Sequence, residues 1–105
     1  MKLTIKTADD LAAEQLAIRA RAIKEACRAR IVAIADEMAQ INLASAAGAG
    51  LLNAADLATY KAGLLWVTDT RLACAEMIGD PKADWLADKG WPPVPDGVAE
   101  LAARF

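Results

Sequence analysis

Apolar side chains recur along this chain at alternating steps of three and four over two long stretches. The first stripe runs Leu16, Ala20, Ile23, Cys27, Ile31, Ile34, Met38, Ile41 and Ser45, the spacing of one packed helix face. No proline or glycine interrupts Ala8 to Ala47, so the pattern predicts one helix over 7–47. At 1.5 Å per residue that helix is about 60 Å long. Thr7 is its N-cap, with Asp9 and Asp10 at the favourable end of the helix dipole. Gly48-Ala49-Gly50 is its stop. The second stripe runs Leu57, Tyr60, Leu64, Val67, Arg71, Cys74 and Ile78, widened by Leu65 and Leu72, with Trp66 and Met77 on another flank. It predicts a helix over 53–78, capped by Asn53 with Asp56 at N3, stapled by Leu52 onto Leu57 and stopped at Gly79. A short glycine link between two striped helices makes an antiparallel hairpin.

The flanks read differently. Lys2 to Lys6 alternates, with Leu3 and Ile5 on one side, too short for a strand of its own but suited to an existing sheet edge. Asp80-Pro81 looks like an N-cap with proline at N1, which predicts a short helix over 81–88. Trp91-Pro92-Pro93-Val94-Pro95 is extended, because proline removes donors and fixes φ. Asp96 is positioned to cap a last turn carrying Val98, Leu101 and Phe105. The expected fold is all-α: a single helical domain over 1–105, in which the long N-terminal helix forms the hairpin. A Trp/Pro-rich segment and short helices over 80–105 pack on it. The first helix is longer than its partner, so its start overhangs, to be covered by the C-terminal segment folding back or, preferably, by another chain.

Composition narrows the chemistry. About a quarter of the 105 residues are alanine and aromatics are 5%, a helix-forming mixture. There is no histidine, hence no histidine general base, dyad or metal ligand. A formal charge of −2 does not suit a general nucleic-acid surface. No apolar run is long enough to cross a membrane, and the N-terminus lacks the shape of a signal peptide, so a cytoplasm is the default compartment. The expectation is no catalysis, no cofactor, no metal, no nucleic acid and no membrane.

Each cluster has two readings. Arg19, Arg21, Lys24, Arg28 and Arg30 are a phosphate-binding stripe or, preferably, the solvated face of a long helix, since no aromatic is interleaved for stacking. Cys27 and Cys74 fall at similar heights on the two inner stripes. A disulfide needs Cα atoms about 4.4–6.8 Å apart while helix axes pack about 8–10 Å apart, so two buried thiols are the preferred state. Two cysteines without histidine make a poor zinc site. Gly48-Ala49-Gly50 follows a helix and reads as a turn, not a phosphate loop. Asp9, Asp10, Glu14, Asp36 and Glu37 read as caps and surface. Arg71 is out of place on its stripe, to be paired with Asp69 or Asp36 or to snorkel. Trp85, Trp91 and Phe105 gather in the last fifth, as an aromatic cap on the hairpin or as a partner surface.

The order of these features resembles a known family. A helix ends in a small-residue turn (Ala47 to Leu52), and an acid-capped helix follows with Tyr60 and Trp66. An Asp80-Pro81 breaker and a closing Trp91-Pro92-Pro93-Val94-Pro95 complete the order. Together they resemble the C-terminal region of bacteriophage tail fibre assembly proteins, over Ala20 to Pro95. Those proteins finish with a helical hairpin, a Trp in the second helix and a terminal Trp-Pro-x-x-Pro. The chain departs from them in having only a helical stretch where the family has an N-terminal fibre-engaging domain, and in running on to Phe105.

The resemblance implies a tail-fibre chaperone or accessory protein that acts by binding fibre subunits in the host cytoplasm, with retention in the virion tail open. The alternative is a structural tail subunit that self-associates through its long helix as a coiled-coil bundle. The expected partner surface is Leu3, Ile5, Leu11, Leu16, Ile18 and Ile23, framed by Arg19 and Arg21, with Trp91 as a further contact.

Overall fold

The computed structural model describes residues 7–105. The Lys2–Lys6 alternation, with Leu3 and Ile5, lies outside the described residues. The described chain is all-α: α1 (Ala8–Ile34), α2 (Glu37–Gly48), α3 (Ala54–Gly79), a 3-10 turn (Asp88–Gly90) and α4 (Val98–Ala103).

The starts and stops follow local chemistry. The Thr7 hydroxyl accepts from the Asp10 amide while the Asp10 carboxylate accepts from the Thr7 amide, each at 3.1 Å, a reciprocal capping box. The Asn53 side chain accepts from the Asp56 amide at 2.8 Å and starts α3 as expected. After α2 the chain turns at Gly50, whose φ of 72° glycine takes freely, with the Leu51 amide donating back to the Ala46 carbonyl at 2.9 Å.

The single helix expected over 7–47 is broken. The chain leaves helical geometry at Ala35 and restarts at Glu37 under an Asp36 cap, its carboxylate accepting from the Ala39 amide at 2.8 Å. The Gln40 side chain donates to the part-buried Ala35 carbonyl at 2.8 Å, satisfying a group the break sets free. The break changes the buried phase. Ile23, Cys27 and Ile31 are buried on α1, but Ala39, Leu43 and Ala46 follow on α2, leaving the expected Met38 and Ile41 exposed.

α1 and α3 form the antiparallel hairpin: Arg19 meets Met77 while Cys27 meets Thr70. On α3 the buried set is Trp66, Thr70, Cys74 and Met77. Trp66 and Met77, expected on a flank, are therefore core, and Leu64, Leu65 and Leu72 are exposed. The α3 surface is apolar on more than one side, so periodicity alone does not choose. The indole settles the matter, because Trp66 Nε1 donates to the Pro92 carbonyl at 3.1 Å and so must face the returning C-terminal segment. Thr70 is buried without cost, its hydroxyl donating to the Trp66 carbonyl at 2.7 Å.

The segment after α3 is not the expected helix over 81–88. Asp80 and Asp84 accept from the amides two residues on, Lys82 and Leu86, at 3.0 and 3.2 Å. Both are Asx turns, which compete with helix. Trp91 then enters the main core beside Ile23, Cys27, Ile31, Trp66, Cys74 and Met77. The N-cap of α4 is Gly97 at φ 83°, not Asp96. α4 packs on α3 and α2, placing Leu101 and Ala102 against Leu43 with Tyr60 alongside. It passes so close to α3 that a Cβ on Gly63 would lie 3.3 Å from a Val98 methyl. The structure is elongated, 63 × 33 × 17 Å with a radius of gyration of 18.5 Å, against about 13 Å for a compact chain of this length.

Candidate partner-binding surface

The elongation comes from the start of α1. Every residue from Thr7 to Ile18 is exposed, an overhang of about 16 Å at 1.5 Å per residue. The C-terminal segment does not run back along it. The segment meets α1 at Arg19, whose guanidinium donates to the carbonyls of Met77 (3.0 Å), Asp80 (2.9 Å) and Ala83 (3.3 Å). That contact satisfies the end of α3 with a cation, where the helix dipole favours one, and it marks where the hairpin stops.

N-terminal to Arg19, large apolar side chains are exposed among the polar ones. Leu16 continues the Ile23–Cys27–Ile31 face past the end of α3, with Ala12, Ala13 and Ala20 around it. It is 60% exposed. Leu11 and Ile18, each 50% exposed, share a second face two helical turns apart.

The other expected contacts divide. Arg21 is exposed beside this surface. Ile23 is 0% exposed and sits in the core, unavailable to a partner. It fills the seam between the helices where the overhang has already ended. Arg19 is bound to the turn after α3 and is not a free rim residue. Trp91 is 5% exposed, with Nε1 donating to the Trp85 carbonyl at 2.9 Å and the Arg30 guanidinium 5.0 Å above its ring. Of its two readings, the structure gives the aromatic cap.

The basic stripe is largely committed within the chain. Arg28 pairs with Glu37 at 2.6 Å and Glu25 at 3.7 Å, and Arg30 pairs with Asp88 at 2.9 Å. The carboxylates read as caps behave so: Asp10 and Asp36 accept helix-start amides and Glu37 holds Arg28. Arg71 pairs with neither Asp69 nor Asp36. It is exposed and lines a groove between α1, α2 and α3 of about 450 Å³, together with Cys27 and Cys74. Sequence reasoning placed the two thiols together but missed this groove, which exists because the Ala35 break turns α2 away from the line of α1. Both thiols are free and buried. Burial first, then the neighbouring Cys74 thiol, hold the Cys27 thiol above its ordinary value of 9.0, with Arg71 opposing.

A coiled-coil seam continuous from Leu16 to Ile41 does not exist. Its middle, Ile23 to Ile31, faces α3, and its line ends at Ala35. Among the described residues no three or more Cys, Asp or Glu gather as a metal cluster, and no helix is long and apolar enough to cross a membrane. Comparison with protein-family models, curated proteins and solved structures returns no match for the chain.

Proposed function

We propose that this protein is a non-catalytic accessory of bacteriophage tail fibre assembly, a chaperone that binds fibre subunits in the host cytoplasm through the projecting start of α1. The observation that carries the reading is the exposure of Leu11, Leu16 and Ile18 together at the start of α1. Supporting it is the hairpin followed by Trp-Pro-Pro-Val-Pro, the order that resembles the tail fibre assembly family. An apolar helical face with a basic rim residue such as Arg21 suits the apolar surface of an unassembled fibre subunit, in the helix-in-groove mode. Leu3 and Ile5 belong to the proposed surface on sequence grounds. Ile23, Arg19 and Trp91 do not; they build the scaffold that holds it out.

The test is co-expression with the tail fibre encoded beside it and purification through a tag on the fibre. Soluble trimeric fibre that appears only with this protein is the expected result. A fibre that trimerises equally well alone and never retains this chain overturns the reading.

A further inference from the structure

Cys27 and Cys74 are not accounted for by partner binding. Cys27 on α1 and Cys74 on α3 lie in one buried cluster and line the same groove. Both reach the wall of the groove of about 450 Å³, so a small solute has access to them. The Cys27 sulfur also faces the Thr70 carbonyl at 3.9 Å.

We propose that this thiol pair is a two-coordinate site for a soft monovalent metal ion of the copper(I) class. The donor set selects the ion. Hard cations need six or more oxygens and zinc four ligands, and no cluster of three Cys, Asp or Glu is present among the described residues. Two thiolates alone suit a soft d10 ion that accepts linear coordination. The binding step balances simply: the ion displaces one proton from each thiol, both protons leave to solvent, and no electron moves. Two thiolates and a monovalent cation form a complex of net charge −1. The charged side chains lining the groove are Lys24, Arg28, Glu37 and Arg71, formally two positive charges in excess, which favours the anionic complex over the empty pair of neutral thiols. The apolar walls, Ile31 and Val32, limit water around the sulfurs and protect the reduced ion from oxidation.

The experiment uses the reduced full-length protein, titrated anaerobically with copper(I) held by a coloured copper(I) chelator. The protein is expected to withdraw one equivalent from the chelator. Cys27→Ser and Cys74→Ser are each expected to weaken binding by about 100-fold or more, beyond the 10–100-fold that loss of a merely supporting group costs. X-ray absorption at the copper edge of the wild-type complex needs no variant and is expected to show two sulfur neighbours. Copper that stays with the chelator, serine variants that bind as the wild type does, or a copper edge with nitrogen, oxygen or three sulfur neighbours would each overturn the site.

Discussion

Arg19 on α1 donates to the Met77 carbonyl in the last turn of α3 at 3.0 Å. The same guanidinium bridges on to Asp80 and Ala83, so one side chain ties the start of the packed hairpin to the end of α3 and to the turn that follows. Replacing Arg19 with Met keeps the apolar stem and leaves the carbonyls without their donor. The expected loss is about 1.5–3 kcal/mol, toward the lower figure because the group is part-exposed. Lysine is expected to recover only part of it, since one ammonium does not span three carbonyls. Urea unfolding of the three proteins measures this directly.

The two indole donors hold the C-terminal segment on the hairpin. Trp91→Ala removes a core side chain that is 5% exposed and is expected to cost about 3–5 kcal/mol. Trp91→Phe keeps most of the packing but leaves the Trp85 carbonyl without its donor, at about 1 kcal/mol. Equal losses for the two variants, measured by the urea midpoint, would mean that the hydrogen bond and not the packing seats the ring.

Asp36 starts α2 by accepting from the Ala39 amide. Asp36→Ala removes that cap and is expected to cost about 0.5–2 kcal/mol. Amide hydrogen exchange locates the effect: protection falls first in the opening turn of α2, from Glu37 to Gln40, and not in α3.

The Cys27 thiol makes the metal-free protein sensitive to alkali. Its proton is held more tightly in the folded chain than in the unfolded one, because burial and Cys74 disfavour the thiolate. Stability from this source is therefore intact below the thiol's ordinary value of 9.0. It is lost as pH rises from there through the folded value. Across that window the wild type is expected to lose stability with rising pH more steeply than Cys27→Ala. Parallel curves from denaturant unfolding at a series of pH values would contradict this.

Much of the fold is legible in the sequence wherever one residue type leaves the backbone a single choice. Asn53 ahead of an apolar run and Gly50 at positive φ are such cases, and α3 begins and α2 ends where they say. The break at Ala35 is not legible in the same way. An aspartate within an unbroken helical pattern is ambiguous between surface and cap, and here tertiary packing decides: α2 must turn to lay Leu43 against Leu101. The Asp80-Pro81 signature misleads because the carboxylate that would cap a helix also closes an Asx turn, and the chain takes the turn. The proposed partner surface is half legible. Leu11, Leu16 and Ile18 are exposed as expected, whereas Ile23 on the same stripe as Leu16 is buried, because nothing in the periodicity of α1 reveals where α3 ends.

In the proposed function the exposed start of α1 is the surface that engages fibre. The most direct measurement compares the wild type with a Leu11→Asp, Leu16→Asp, Ile18→Asp variant. Each is co-expressed with a tagged tail fibre protein, and each is also melted alone. The replaced side chains touch no core, so the melting of the hairpin is expected to move little, by about 0.5 kcal/mol per site from helix propensity. Fibre binding and the yield of trimeric fibre are expected to fall to the level seen without the protein. A variant that melts as expected and still co-purifies with fibre in full would contradict the account and move the binding surface elsewhere on the chain.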